Sequence, residues 1–179
     1  MPTWIAKFSH KNLNQLWQNF YSLWQNEDDK EFLQLAIHWY LEANAYSGSV
    51  NGAIILAQTG LELIYNWLLI ENKKLLVGKD AENISAANKI RLLLSHFSIS
   101  NDAPDAFKEL QAYIQSDQNI NDAPEAFVNI RNTIVHSQMD KRKKLSNMSY
   151  LLKKQALELG IWYMELALLY LLKYRGVYK

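Results

Sequence analysis

The stretch AIILAQTGLELIYNWL, residues 53–68, decides the fold because its apolar side chains recur at helical spacing. These residues follow the i, i+3, i+4 spacing that places side chains on one face of an α-helix: Ala53, Leu56, Ala57, Gly60, Leu61, Ile64 and Leu68. Gly60 lies inside this stripe, where glycine costs about 1 kcal/mol relative to alanine. The stretch therefore predicts a buried helix, ending near Asn72, that another helix crosses closely at Gly60.

The same spacing recurs along most of the chain. Apolar stripes lie within residues 13–24, 32–43, 90–97 and 145–174. The 179 residues include only 6 glycines and 3 prolines, too few turn formers for a β-sandwich or barrel. We therefore predict an all-α fold without a sheet, an up-and-down bundle of five to seven helices. Its predicted core combines the inward faces of these helices: Trp39, Leu56, Leu61, Ile64, Leu94, Phe127, Ile130, Ile134, Ile161 and Leu168.

The length of the chain corresponds to one domain of roughly 150 residues with an additional arm. The first stripe is amphipathic and rich in aromatic residues: Leu13, Leu16, Trp17, Phe20 and Trp24. An acidic start at Asp28 and Asp29 suits the N-terminus of the following helix. We predict that residues 1–27 form an N-terminal amphipathic helical arm and that residues 28–179 form the bundle.

The charges of the chain nearly cancel. Nineteen Lys and Arg oppose 18 Asp and Glu, a net charge of +1, which gives no global attraction to nucleic acid or membranes but leaves local attraction open. The first 26 residues contain no apolar segment typical of a signal peptide. Residues 156–172 are the most apolar run, but this run is shorter than the roughly 20 residues of a membrane span and contains Glu158 and Glu165. We predict a cytoplasmic protein without a membrane partner.

No pattern typical of a metal or cofactor site occurs in the sequence. The chain has no cysteine, so disulfides, zinc–thiolate sites and cysteine nucleophiles are excluded. Its four histidines, His10, His38, His96 and His136, do not form the His-Glu-x-x-His or Glu-x-x-His patterns of metal sites. Neither a glycine-rich phosphate loop nor a Gly-x-Ser-x-Gly turn is present. We predict no metal and no cofactor.

A seven-residue segment occurs twice. NDAPDAF at residues 101–107 returns as NDAPEAF at residues 121–127. Each copy has the chemistry of a helix start: Asp102 or Asp122 as the cap, proline in the first turn and an acid three residues after the cap. We interpret the repetition as convergence on good capping chemistry rather than a solenoid, because nothing else repeats.

The second copy begins the helix that carries Arg131-Asn132-Thr133-Ile134-Val135-His136. Five helical positions correspond to about 500°, so Arg131 and His136 lie about 140° apart, whereas Asn132 and His136 share a face. Arg131 borders the apolar stripe, and a partly buried guanidinium needs a partner. Glu62 is our candidate for that partner. In the structural alternative, Arg131 and Glu62 form an ion pair and His136 satisfies helix carbonyls.

A second segment has the same arginine–histidine spacing. Arg91 is followed five positions later by His96. This segment differs from the first in two respects: Leu92 is apolar, and we expect no capped helix start before it. We therefore interpret Arg91 and His96 as structural residues.

A basic cluster follows His136 closely. Four cations stand in a row, Lys141-Arg142-Lys143-Lys144. Such a run is usually a solvated loop, and the alternative is a rim that attracts phosphates beside a site.

Three segments together resemble the HEPN family, a helical-bundle family rich in RNA-cleaving toxins and defence proteins. Arg131 to His136 matches its arginine–histidine motif with a polar residue after the arginine. Residues 57–63, AQTGLEL, and residues 38–44, HWYLEAN, look like two earlier helices of its Apea-like branch, and the resemblance covers residues 28–174. It implies an endoribonuclease site with Arg131, Asn132 and His136 as catalytic residues, and Glu62, our candidate partner of Arg131, would support that site. It also implies a homodimer, RNA as substrate, and an antitoxin or defence partner protein.

The residue types suit metal-independent RNA cleavage. Histidine can act as base or acid near neutral pH, and arginine supplies fixed donors to phosphate oxygens. Asn132 can position the phosphate or the imidazole, and the basic cluster at residues 141–144 can contact the RNA backbone. The first hypothesis is therefore a metal-independent endoribonuclease. The second is a non-catalytic HEPN module that binds RNA, a nucleotide or a partner protein, and the near-zero net charge favours it.

Overall fold

The computed structural model describes residues 10–45, 49–136 and 138–175, and this part of the chain consists of helices joined by turns and loops, without a strand. It contains nine α-helices: α1 His10–Trp24, α2 Glu27–Asn44, α3 Val50–Tyr65, α4 Lys79–Glu82, α5 Ala86–His96, α6 Lys108–Ser116, α7 Ala123–Val135, α8 Met139–Asn147 and α9 Tyr150–Leu171. Helix α3 continues as a π-helical segment, Asn66–Asn72. The predicted all-α bundle is confirmed.

The number of helices exceeds the predicted five to seven because two short helices form in polar sequence. Helix α4 is a single turn that follows Gly78. Helix α8 includes the basic cluster and Leu145, so Leu145 belongs to this short helix and not to the long last helix that the apolar stripe over residues 145–174 predicts. Helix α9 instead begins at Tyr150, where the Ser149 side chain accepts a hydrogen bond from the backbone N–H of Leu152.

Helix α3 lies at the centre of the bundle and packs against α2 and α9. The predicted close crossing at Gly60 is confirmed, because a Cβ atom there would overlap the Met164 side chain of α9. Gly160 makes the reciprocal approach, since a Cβ there would lie 2.7 Å from Phe127 Cε2. The predicted core residues are either buried or packed at the margin of the core.

Among the described residues, one continuous helix, Val50–Asn72, is long and apolar enough to cross a membrane by length and composition. Its apolar face is covered by α2 and α9, and 56% of the apolar window is buried inside the bundle. This helix is packed as the core of the bundle.

Helix α1 is docked on the bundle through α2 and the end of α9. Asn19 Nδ2 donates a 2.7 Å hydrogen bond to the carbonyl of Leu172, and the rings of Trp17, Phe20 and Trp24 stack along the helix. Asn26 caps α2 by accepting from the backbone N–H groups of Asp28 and Asp29. Residues 1–9 of the predicted arm lie outside the described residues, and the domain boundary at residue 27 stays a prediction.

The two copies of the repeated segment have different structures. Asp122 caps α7 as predicted, with its Oδ1 accepting the Glu125 N–H at 2.9 Å and Pro124 in the first turn. The expectation for Asp102 is wrong, because residues 101–107 form turns and α6 begins only at Lys108. The Ser100 hydroxyl donates to Asp102 Oδ2 at 2.7 Å and accepts the Asp102 N–H, so local bonds replace the cap.

Candidate functional site on helix α7

Helix α7 separates a buried face from a partly exposed one. Phe127, Ile130 and Thr133 are buried against the core, whereas Arg131 and Asn132 are half-buried at its outer side. Arg131 Nη1 donates to Asn132 Oδ1 at 3.2 Å. Arg131 Nε is buried and has no hydrogen-bond acceptor within the described part of the chain. The guanidinium therefore retains unused donors at the edge of the core.

His136 ends α7. Its backbone is extended, with φ −84° and ψ 118°, and its N–H donates to the Asn132 carbonyl at 3.0 Å. The His136 side chain is exposed, so water or a ligand can reach the imidazole. Asn132 thus contacts both motif residues, through its side chain to Arg131 and through its carbonyl to His136.

The predicted support from Glu62 is wrong. Glu62 forms an ion pair with Lys89 of α5, and the Lys89 ammonium also lies 5.7 Å from the centre of the Tyr65 ring. Glu62 does not reach Arg131 because α3 is rotated so that its Glu62 side faces α5. Within the described residues Arg131 has no carboxylate partner, so the structural alternative based on an Arg131–Glu62 pair is also wrong.

The basic cluster forms helix α8 rather than a loop, and α8 packs beside α7. Lys144 is its anchor: the ammonium donates to Asn129 Oδ1 at 3.1 Å and lies 3.8 Å from Asp117 Oδ2 and 5.4 Å from the centre of the Tyr113 ring. Lys141 is half-buried, and Arg142 and Lys143 are exposed. The structure therefore places a largely exposed basic helix beside the helix that carries Arg131 and His136.

Arg91 occupies a different environment from Arg131. Its Nε and Nη2 donate to both carboxylate oxygens of Asp122, at 2.5 and 2.9 Å. Nη2 also donates to Glu125 at 2.8 Å and Nη1 to Asn88 Oδ1 at 2.6 Å. The expectation that no capped helix start precedes this segment is wrong, because Ser85 caps α5.

The carboxylates that bind Arg91 also begin α7. Hydrogen bonds from the Asn121 side chain and from Arg91 lower the pKa of Glu125, and the bond to Asp122 raises the pKa of Arg91. Sequence reasoning missed this clamp between α5 and α7. The signal that could have found it is the pair of acids at the start of α7, which offers more acceptors than the helix N-terminus uses.

His96 is packed rather than presented to solvent. Its ring meets Tyr170 edge-on with centroids 5.5 Å apart, and the Tyr170 hydroxyl lies 3.4 Å from His96 Nε2. Burial, and secondarily the charge of Lys73, lowers the pKa of His96. His38 is exposed beside Trp39, and the side chain of His10 lies outside the described part of the structure. No cluster of three His, Asp or Glu suited to a metal occurs among the described residues.

Comparison with known proteins places the chain in a family. The model of the YopA C-terminal domain family matches residues 26–179. The SPbeta prophage-derived uncharacterized protein YopA of Bacillus subtilis (strain 168) is 29% identical over 177 residues, which is 98% of this chain but 38% of that protein. The chain thus spans well under half the length of this relative, and no solved structure matches it. Because the family match covers most of the sequence, the chain belongs to the YopA C-terminal domain family.

Proposed function

We propose that this chain is a metal-independent endoribonuclease of HEPN type, in which Arg131, Asn132 and His136 are the catalytic residues. The observation that carries the proposal is the state of Arg131. Its guanidinium has a buried Nε without an acceptor and no carboxylate partner among the described residues, and an exposed histidine follows five positions later. A phosphate diester is the anion whose oxygens would bind the Nη donors of this guanidinium at the edge of the core, with its ribose toward the exposed imidazole.

The chemistry needs three tasks. The ribose 2′-oxygen attacks the adjacent phosphorus as a base removes its proton, and the 5′-oxygen leaves as an acid protonates it, so that a 2′,3′-cyclic phosphate forms. His136 serves as base or acid, because an imidazole nitrogen can accept or donate a proton. Arg131 stabilises the negative charge that grows on the phosphorane oxygens, and Asn132 orients the guanidinium through its 3.2 Å hydrogen bond.

A homodimer would supply the second proton-transfer group. One chain brings a single histidine to the end of α7, whereas two α7 helices related by a two-fold axis bring two His136 side chains to one cleft. Exposed apolar residues on both sides of His136 support such an interface, with Val135 41% and Met139 65% exposed. The interface should bury at least roughly 1,000 Å². Sedimentation at high micromolar concentration tests this part, and a strict monomer would contradict it.

We also propose an RNA contact on α8 and a partner protein. Helix α8 contacts the RNA backbone through Lys141, Arg142, Lys143 and Lys144, which lie beside α7. The prophage origin of the YopA relative supports a role as a toxin or in defence, with an antitoxin or another defence protein as partner. We propose that the protein acts in the cytoplasm.

A second candidate function is a non-catalytic HEPN module that binds RNA, a nucleotide or a partner protein. The net charge of +1 favours it, because a free RNA enzyme usually has a strongly basic face. In this case the unused donors of Arg131 would hold a phosphate without cleavage.

A gel assay on single-stranded RNA separates the two candidates. We expect the wild-type chain to cut RNA with or without EDTA and the His136→Ala variant to bind RNA without cutting it. Loss of cleavage in EDTA would contradict the metal-independent mechanism. Binding without cleavage by the wild-type chain would leave the second candidate.

A further inference from the structure

A groove of about 640 Å³ lies between α6, α8 and the start of α9. This volume falls in the usual range of ligand sites. The groove has an apolar floor and a polar rim, formed among others by Glu109, Ala112, Tyr113, Lys144, Asn147 and Leu152. Of the motifs recognised in the sequence, the basic cluster alone reaches the groove, through Lys144.

The groove is connected to the candidate site through Asn129. This residue lies on α7, where its Oδ1 accepts the Tyr113 hydroxyl at 2.9 Å and the Lys144 ammonium at 3.1 Å. Asn129, Asn132 and His136 are spaced i, i+3 and i+7, which places them along one side of α7. Seven residues of helix span about 10 Å, so His136 lies about that far along α7 from Asn129.

The charge of the groove indicates what fits inside it. Its rim carries one carboxylate, Glu109, and one ammonium, Lys144, which is already bound to Asn129 and close to Asp117. Because the positive and negative charges of the rim balance and the floor is apolar, the groove does not favour a phosphate inside it. It favours a flat, neutral group with polar edges, and Lys141 and Lys143 on the adjacent helix are placed to hold charges outside it.

We propose that this groove is a nucleobase subsite, in which one unstacked base of a single-stranded RNA inserts next to the cleaved linkage. The inference rests on the proposed function and adds a position that selects the substrate. The base packs on Ala112, Leu152 and the Tyr113 ring, while the flanking phosphates lie along α8. RNA-binding proteins recognise single strands in this way, by holding splayed bases on aromatic and apolar surfaces and reading their polar edges.

Asn147 is the residue that reads the base. It is the last residue of α8, it is exposed at the rim, and its side chain makes no hydrogen bond within the described chain. A side-chain amide offers both a donor and an acceptor, which matches the paired polar atoms at the edge of a base. Asn147 therefore acts as a specificity residue, distant from the proton transfers at His136.

A large side chain that fills the groove should block the entry of a base. In the His136→Ala background, which prevents cleavage, Ala112→Trp places an indole in the groove from an exposed position on α6. Its matched control is Gln115→Trp, also exposed on α6 but outside the groove. We expect fluorescence anisotropy with a labelled mixed-sequence RNA of about 12 nucleotides to give at least a tenfold weaker Kd for Ala112→Trp. The Kd of Gln115→Trp should stay within about twofold.

A second variant protects the test against misfolding. Asn147→Ala removes only the reading group and should weaken binding about fivefold, with the loss depending on the base offered. Unchanged binding in every variant that retains the parent's circular dichroism melt would overturn the base subsite, and the proposed function would stand if the wild-type chain still cut RNA. A wild-type chain that neither cuts nor binds RNA would overturn the proposed function and the subsite together.

Discussion

Helices α5 and α7 each carry an arginine followed five positions later by a histidine, yet the two pairs occupy opposite chemical environments. Arg91 donates hydrogen bonds to Asp122, Glu125 and Asn88, and every nitrogen of its guanidinium is engaged. Arg131 donates to its neighbour Asn132, and its buried Nε has no acceptor among the described residues. His96 packs against Tyr170, whereas His136 is exposed at the end of its helix.

The difference shows that spacing alone does not distinguish a site from a scaffold. An arginine whose donors are satisfied by carboxylates holds elements together, as Arg91 holds α5 to the start of α7. Arg131, half-buried and without a carboxylate partner in the described part of the chain, keeps donors that the bundle does not use, and these donors support the proposed phosphate contact. The two segments also depend on each other, because the carboxylates that bind Arg91 begin the helix that carries Arg131.

The largest expected effect separates the two histidines. His136→Ala should reduce the single-turnover rate of RNA cleavage roughly 1,000-fold, because general acid–base catalysis contributes on that order. His96→Ala is the matched control and should leave the rate within about threefold. Equal losses in the two variants, measured on chains with the same helical content, would show that spacing and fold rather than the exposed histidine control activity.

The next effect concerns the unpaired arginine. Arg131→Lys should lower cleavage roughly 100-fold, because an ammonium cannot reproduce the bidentate contact of a guanidinium with phosphate. Arg131→Ala should lose at least as much rate. Since Arg131 has no carboxylate partner among the described residues, its removal should change the free energy of unfolding by no more than about 0.5 kcal/mol. A strongly destabilised Arg131→Ala variant in urea unfolding would contradict this assignment.

Arg91 should show the reverse pattern. Arg91→Ala leaves Asp122 and Glu125 without their cation and should lower the free energy of unfolding by about 2 kcal/mol, between the values for surface and buried pairs. Urea unfolding followed by circular dichroism measures the loss. In buffer without urea, at a temperature low enough for the variant to stay folded, Arg91→Ala should still cleave RNA. A stability equal to that of Arg131→Ala would remove the distinction between the two arginines.

The smallest effect is a pH dependence of stability that comes from His96. Because the pKa of His96 is lowered in the folded protein, the unfolded chain binds this proton more readily. The resulting stability is present above the unfolded value of about 6.5 and is lost as the pH falls below it. His96→Gln should flatten this part of the Tm profile between about pH 7 and pH 5. A profile with the wild-type slope would contradict the packed, neutral state of His96.

The spacing of apolar residues predicted the fold well, because a helix that buries one face repeats apolar residues every three or four positions. The stripe through Gly60 identified the central helix, and Asp122 and Pro124 identified the start of α7. The failures occurred where the outcome depends on competition or on tertiary geometry. Asp102 does not cap a helix, because it is hydrogen-bonded to Ser100. The basic cluster is helical beside α7 although it has no apolar stripe of its own.

The candidate site was predicted only in part. The positions of Arg131, Asn132 and His136 at the end of one helix follow from local sequence, and the structure shows the side-chain bond from Arg131 to Asn132 and the backbone bond from His136 to Asn132. The partner of Glu62 depends on how α3 is rotated relative to α5 and α7, which no local pattern encodes. The clamp at Arg91 and the groove at Tyr113 also arise from packing between distant segments.

The chemistry of the cut ends tests the central claim most directly. The wild-type chain should cleave a single-stranded RNA in the presence of EDTA and leave 2′,3′-cyclic phosphate or 3′-phosphate ends, because the 2′-hydroxyl is the nucleophile. A single 2′-deoxy substitution at the cut should block the reaction, and the matching DNA should remain intact. Cleavage of DNA at a comparable rate, or products that carry a 5′-phosphate and a 3′-hydroxyl, would contradict a site built on Arg131 and His136.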